Sequence, residues 1–253
     1  QVADSPLIEN GGDYRMDFED LEKKAACTDV KLMFLCNPHN PVGRVWTPEE
    51  LSRVGEICKK NQVILVADEV HGDIVRRGVK FTPAATVVPS DCIIACTAIN
   101  KTFNVAGLAC TNLVIPDPKL RESMNKFLGF EMPSPFGIAA TIAAYQGGEE
   151  WLEQVIDYLD GNIDFALDFI KKRLPKARCH RPEGTYILWL DLRGYGLSAD
   201  EIHRRIYQEA QVMLEGGRMF DPVRGDGFER ICVPTPRAVL AQALDRIAQQ
   251  FES

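Results

Sequence analysis

Three apolar runs in this chain each end in a polar group able to do chemistry. Asn37-Pro38-His39-Asn40-Pro41-Val42-Gly43 follows the run from Lys31 to Cys36. Asp68-Glu69-Val70-His71 follows Val63 to Ala67, and Asn100-Lys101-Thr102-Phe103-Asn104 closes the segment that begins at Cys92. Amide, carboxylate and lysine, each at the carboxyl end of an expected strand, would meet in one crevice, where open α/β sheets bind their ligands. A lysine amine there can form an imine with an aldehyde cofactor, and a carboxylate can hold a pyridinium.

The elements that position these groups are legible from spacing. Asp17 to Lys24 reads as a short, charged surface helix. Thr47-Pro48-Glu49-Glu50 is a helix start: Thr47 caps, Pro48 takes the first helical position, and Glu50 completes a capping box. Leu51, Val54 and Ile57 follow at helical spacing up to about Lys60. Val63 to Ala67, Ile93 to Cys96 and Leu113 to Ile115 are strands. Being apolar on both faces, they predict an α/β sheet covered by helices on both sides. A long helical pattern runs from Glu149 to Leu174-Pro175. After it come an expected strand Tyr186 to Leu190, a helix Ala199 to Ala210, strands Val212 to Leu214 and Phe228 to Val233, and a last amphipathic helix carrying Val239, Leu240, Ala243, Leu244 and Ile247. The expected division is residues 1–148 as part of a large domain and 149–253 as connector helix and smaller C-terminal domain.

Composition narrows the classes. With 45% apolar and 26% charged residues, the chain is of ordinary globular type. A net charge of -7 without a basic block argues against nucleic acid or an anionic membrane as partner. No stretch is long and apolar enough to span a bilayer, and no signal peptide opens the sequence. Eight cysteines without a C-x-x-C pair are expected as free thiols in a reducing cytosol. His39, His71, His180 and His203 show no ligand spacing with cysteine, so no metal is expected. Gln1 opens a stretch that reads like the middle of a protein, which predicts a fragment of a longer chain.

The segments Asn37 to Gly43, Ala67 to Asp73, Asn100 to Leu108, Pro182 to Asp191 and Gly227 to Arg237, in this order, resemble the pyridoxal-phosphate enzymes of the aminotransferase class I/II superfamily (fold type I). Within it they are most similar to the cystathionine β-lyase, or C-S lyase, branch. The resemblance implies a mostly parallel sheet covered by helices, a smaller C-terminal α/β domain, pyridoxal 5′-phosphate as cofactor, an amino-acid substrate, a cytoplasmic enzyme and a homodimer. It implies roles residue by residue. Lys101 matches the Schiff-base lysine and general base, and Asp68 the partner of the pyridine nitrogen. Asn40 matches the donor to the phenolic oxygen, with His71 near the same oxygen. Arg230 matches the grip on the substrate carboxylate, with Arg237 as a competitor that a helix start makes a surface residue. Without the resemblance, Asp68 reads as a strand-end carboxylate or cap, and the Asn-Pro pairs as turn formers.

The chain also departs from the pattern. Ala98 stands where many relatives carry a phosphate-binding serine, with Thr97 and Thr102 as substitutes. Ala109 stands where some place a basic residue, and Cys232 where an asparagine is usual. The family's N-terminal segment, which supplies a phosphate-cradling helix start, is not recognisable before Asn37, so weak cofactor binding and poor turnover are expected of this chain alone. The implied activity is β-elimination giving thiol, pyruvate and ammonia. Transamination is the alternative, and a catalytically impaired binding or regulatory protein is the second.

Overall fold

The computed structural model describes residues 2–128 and 132–252. A hairpin of β1 (Ile8–Asn10) and β2 (Asp13–Arg15) precedes α1 (Phe18–Ala25). Asp17 caps α1 by accepting from Asp20 N at 3.0 Å. Then follow β3 (Leu32–Cys36), α2 (Pro48–Lys60), β4 (Ile64–Asp68), β5 (Ile93–Thr97), the single turn α3 (Ile99–Thr102) and β6 (Asn112–Val114). α2 starts as its sequence requires. Glu50 N donates to Thr47 Oγ1 at 3.2 Å, and Thr47 N donates to Glu50 Oε2 at 2.9 Å, satisfying two amides that the first turn leaves open.

These strands form a sheet in the order β3-β4-β5-β6, parallel except for the antiparallel β6 at its edge. The register sets Cys36 beside Asp68 and Asp68 beside Cys96. On one face Leu35, Leu65, Ala67, Ile93 and Ala95 are buried in a core shared with Leu21 of α1, Leu51, Val54 and Cys58 of α2, and Trp46. The other face is less evenly covered among the described residues. Leu32 is 54% exposed and Phe34 74% exposed. Continuous apolar strands announce two covered faces; on the second, Ile94 of the inner strand β5 is buried, while Leu32 and Phe34 lie exposed on the edge strand β3.

Three further helices follow: α4 (Pro118–Leu128), α5 (Pro135–Gly147) and the long α6 (Glu149–Arg173). α4 and α5 were not expected. α5 is apolar all round, so it has no stripe to reveal it, and Phe136, Ile142 and Tyr145 are exposed on it.

The second sheet is wholly antiparallel. It has the order β7 (Arg178–Cys179), β8 (Ile187–Asp191), β10 (Phe228–Cys232), β9 (Glu215–Gly216). Its core joins Leu188, Leu190 and Ile231 to Leu159, Ile163 and Ile170 of α6 and to Leu240, Leu244 and Ile247 of α8 (Arg237–Gln249). The expected helix 199–210 is α7 (Ala199–His203), which passes into a π-helical stretch, Arg204–Glu209. The expected strand at Val212 to Leu214 is corrected: pairing occurs at Glu215–Gly216, because Glu215 and Gly216 are the residues opposite Arg230 and Glu229. Leu214 instead packs against the second core.

Several long-range contacts join these parts. Ile74, just beyond β4, belongs to the second core, and Arg76 is buried between Asp160 (2.6 Å) and Thr185 O (3.0 Å). Arg193, past β8, pairs with Glu9 of the hairpin at 3.1 Å.

Candidate active site

The loop after β3 is built by its own amides. Asn37 is fully buried. Its side chain donates to Thr82 O at 3.2 Å and to Glu69 Oε1 at 3.4 Å, and accepts from Trp46 N at 3.2 Å. Glu69 also accepts from Ala84 N at 2.7 Å, and burial raises its pKa. The turn role expected of Asn37 is therefore a buried cross-link between three loops. Gly43 takes φ +76°, and a Cβ there would collide with Pro182. Its carbonyl accepts from Glu183 N and Gly184 N, while the Glu183 carboxylate accepts from Val45 N at 2.8 Å and Arg44 Nε at 3.0 Å. Those contacts fix the loop against the segment before β8, and so fix Asn40.

Asn40, His71, Lys101 and Arg230 line one cavity of about 830 Å³ together with Tyr186, Glu215 and Cys232. Asp68 is not among its lining residues. It sits exposed at the end of β4, accepting from Val70 N at 3.3 Å. Lys101 is exposed on α3, directly after β5, and forms no ion pair among the described residues. Arg230 reaches from β10 across 190 positions of sequence: its Nη1 donates to Asn40 Oδ1 at 2.9 Å. Its Nε and Nη2 both donate to Glu215 Oε2, the former at 2.6 Å, and its guanidinium lies 4.7 Å from the Phe220 ring centroid.

His71 is 3% exposed, packs edge-on against Tyr186 with ring centroids 5.3 Å apart, and has no partner for Nδ1 among the described residues. Burial, then the charges of Lys101 and Arg230, lower its pKa to about 4. It is therefore neutral near pH 7 and able to share one hydrogen bond. Burial likewise raises the thiols of Cys36 and Cys96, with the neighbouring Asp68 charge adding to the effect. All eight cysteines are free thiols.

Other expectations are revised. Arg237 is half-buried rather than free at the surface: its Nε donates to the buried Asn162 Oδ1 at 2.6 Å, tying α8 to α6. Thr102, considered a hydroxyl donor for phosphate, is buried and gives its proton to Asp73 at 2.9 Å. Tyr186 and Glu215 were not anticipated as site residues. Tyr186 opens the matched segment before β8, a signal that was available; Glu215 meets Arg230 only through the pairing of β9 with β10.

The set fits pyridoxal phosphate at its ring. An amine outside any ion pair, a carboxylate with one backbone donor, and an unpaired buried imidazole nitrogen are what an aldehyde, a pyridinium and a phenolic oxygen require. The phosphate end finds no comparable hydroxyl at Ala98 or Thr102.

Comparison with known proteins gives the same answer. Cystathionine beta-lyase PatB of Bacillus subtilis is 39% identical over 251 residues, covering 97% of this chain and 65% of the relative. Protein MalY of Escherichia coli is 30% identical, covering 90% of this chain and 59% of its own length. The PLP-bound C-S lyase from Staphylococcus hominis superposes with a TM-score of 0.91 at 38% identity, over 98% of this chain and 64% of that one. The chain thus spans somewhat less than two thirds of these relatives. The family model for aminotransferase class I and II matches residues 5–247, so a lysine, an amide and an arginine that converge on one cavity do so on the fold, and in the family, of the class I and II aminotransferases.

Proposed function

We propose that the chain carries the catalytic residues of a pyridoxal-phosphate-dependent C-S β-lyase acting on a thioether amino acid such as cystathionine. The observation that carries this reading is the convergence of Asn40, His71, Lys101 and Arg230 on one cavity. PatB and the Staphylococcus hominis enzyme, whose names describe this activity, support it.

Asp68 would hold the pyridine nitrogen in its protonated form, Asn40 and His71 would face the ring oxygen, and Lys101 would hold the aldehyde carbon. When bound, the cofactor supplies an electron sink for negative charge at the substrate's Cα. Arg230 orients the amino acid by its carboxylate, for which a planar two-pronged donor is suited. Lys101, placed beside the substrate's Cα, would take the Cα proton as general base. A thiolate then leaves from Cβ, and hydrolysis of the remaining enamine gives pyruvate and ammonia. A thiolate is a good leaving group, so orientation and charge stabilisation at Cα suffice.

The same residues serve transamination, so the test must separate the two reactions. Incubation with cystathionine and cofactor releases free thiol and pyruvate if the lyase reading holds. A strict requirement for a 2-oxo acid acceptor refutes it in favour of an aminotransferase.

The proposal extends to organisation. Residues 1–148 would form part of a large domain and 149–253 a connector and small domain, supported by two separate buried cores. A homodimer is supported by the exposed apolar side chains of α5, and a cytoplasmic setting by eight free thiols. No described helix is long and apolar enough to cross a membrane.

A further inference from the structure

Arg230 already holds a carboxylate. Glu215 stands directly opposite it in the β9–β10 pairing. One oxygen, Glu215 Oε2, accepts from both Nε and Nη2 of Arg230, while Nη1 is engaged by Asn40. Phe220 lies against the guanidinium, so the group is held at its edges and by a ring. Both members line the cavity that contains Lys101. They differ in burial: the Arg230 side chain is 14% exposed and that of Glu215 39% exposed. The arginine is therefore fixed, and the glutamate has a path to solvent. It sits on a two-residue edge strand that leads into Gly217.

A second carboxylate arriving at this guanidinium meets the first. In a partly desolvated cavity, like charges a few ångströms apart repel strongly, and the Nε–Nη2 edge is already occupied. We propose that Glu215 is a built-in competitor for the carboxylate subsite at Arg230, so that an amino acid gains its full grip only by displacing it. This rests on the reading of Arg230 as the carboxylate-binding residue. Glu215 thereby sets the affinity of the site for every α-carboxylate and favours ligands whose remaining contacts offset its displacement.

The test is binding of L-alanine, which has an α-carboxylate and no leaving group at Cβ. Binding is followed by isothermal titration calorimetry, which reads the wild type and each Arg230 and Glu215 variant alike. Glu215→Gln, which keeps shape and removes charge, should lower the dissociation constant at least about fivefold, the lower end of typical couplings between sites. Glu215→Ala should change it in the same direction. In an Arg230→Lys background the gain should disappear, which a merely structural role for Glu215 would not produce. Equal or weaker binding by Glu215→Gln, with Arg230→Lys still weakening the wild type, overturns the competitor and leaves the functional reading standing. If Arg230→Lys alone leaves L-alanine binding unchanged, the carboxylate assignment fails first, and the competitor with it.

Discussion

Leu65 in the parallel sheet and Leu188 in the antiparallel one are both wholly buried, yet Phe34, on the strand beside Leu65, is 74% exposed. The antiparallel sheet packs its apolar residues against α6, which precedes it, and α8, which follows it. The parallel sheet is sealed on the side of α1 and α2, and on its other side Phe34 is exposed. Asp68, Cys36 and Cys96 lie together at the carboxyl ends of its strands. The site is assembled where the two regions meet: Asn40 and His71 come from loops and Lys101 from α3, all following strands of the parallel sheet, and Arg230 comes from a strand of the antiparallel one. On the proposed reading, one region supplies the reacting groups and the other, with Arg230 on β10, the grip on substrate.

Perturbing each region separately should give effects of very different kind. The largest belongs to the loops of the parallel sheet. Lys101→Ala should lower thiol release by a factor of about 10² to 10⁴, the usual contribution of a general base. It should also abolish the visible absorbance that cofactor addition produces in the wild type, while urea unfolding stays unchanged. Next is packing. Leu188→Ala should cost about 2–5 kcal/mol in chemical denaturation, whereas Phe34→Ala should stay within about 0.5 kcal/mol. Equal costs would mean that Phe34 is covered in solution.

Glu229 sharpens the contrast by pH. It is 3% exposed, and burial raises its pKa to about 7, with Tyr207 donating to it at 3.3 Å. Because the folded value lies above the unfolded one, its burial costs nothing in acid. Stability is lost progressively as pH rises from about 4.5 towards 7. Glu229→Gln should therefore gain on the wild type over that interval, by no more than about 3 kcal/mol. A difference that does not vary with pH would refute the buried-acid assignment. The buried imidazoles of His39 and His71, both lowered to about 4, act in the opposite sense and destabilise the fold as pH falls below about 6.5. The smallest effect is local: Thr47→Ala should remove about 1 kcal/mol through loss of the cap on α2.

Much of the molecule could be read before any coordinates. The capping box, Pro48 and the spacing of Leu51, Val54 and Ile57 placed α2 because each acts within a few residues. Strand positions followed from short apolar runs, and the candidate site residues followed from motif order. Other features were hidden for stated reasons. Uniform apolarity concealed α5. The shift of β9 from Val212–Leu214 to Glu215–Gly216 was set by its partner strand, and Arg237 found a buried amide on another helix.

The sequence by itself determined which residues end the strands, where α2 begins, and which side chains could react, since caps, periodicity and side-chain chemistry are local. Tertiary structure alone decided that Arg230 meets Asn40 and Glu215, that His71 is buried with its pKa lowered, and that Phe34 is exposed while Leu65 on the neighbouring strand is buried. Those outcomes depend on burial and on contacts between residues as far as 190 positions apart, which no local pattern encodes.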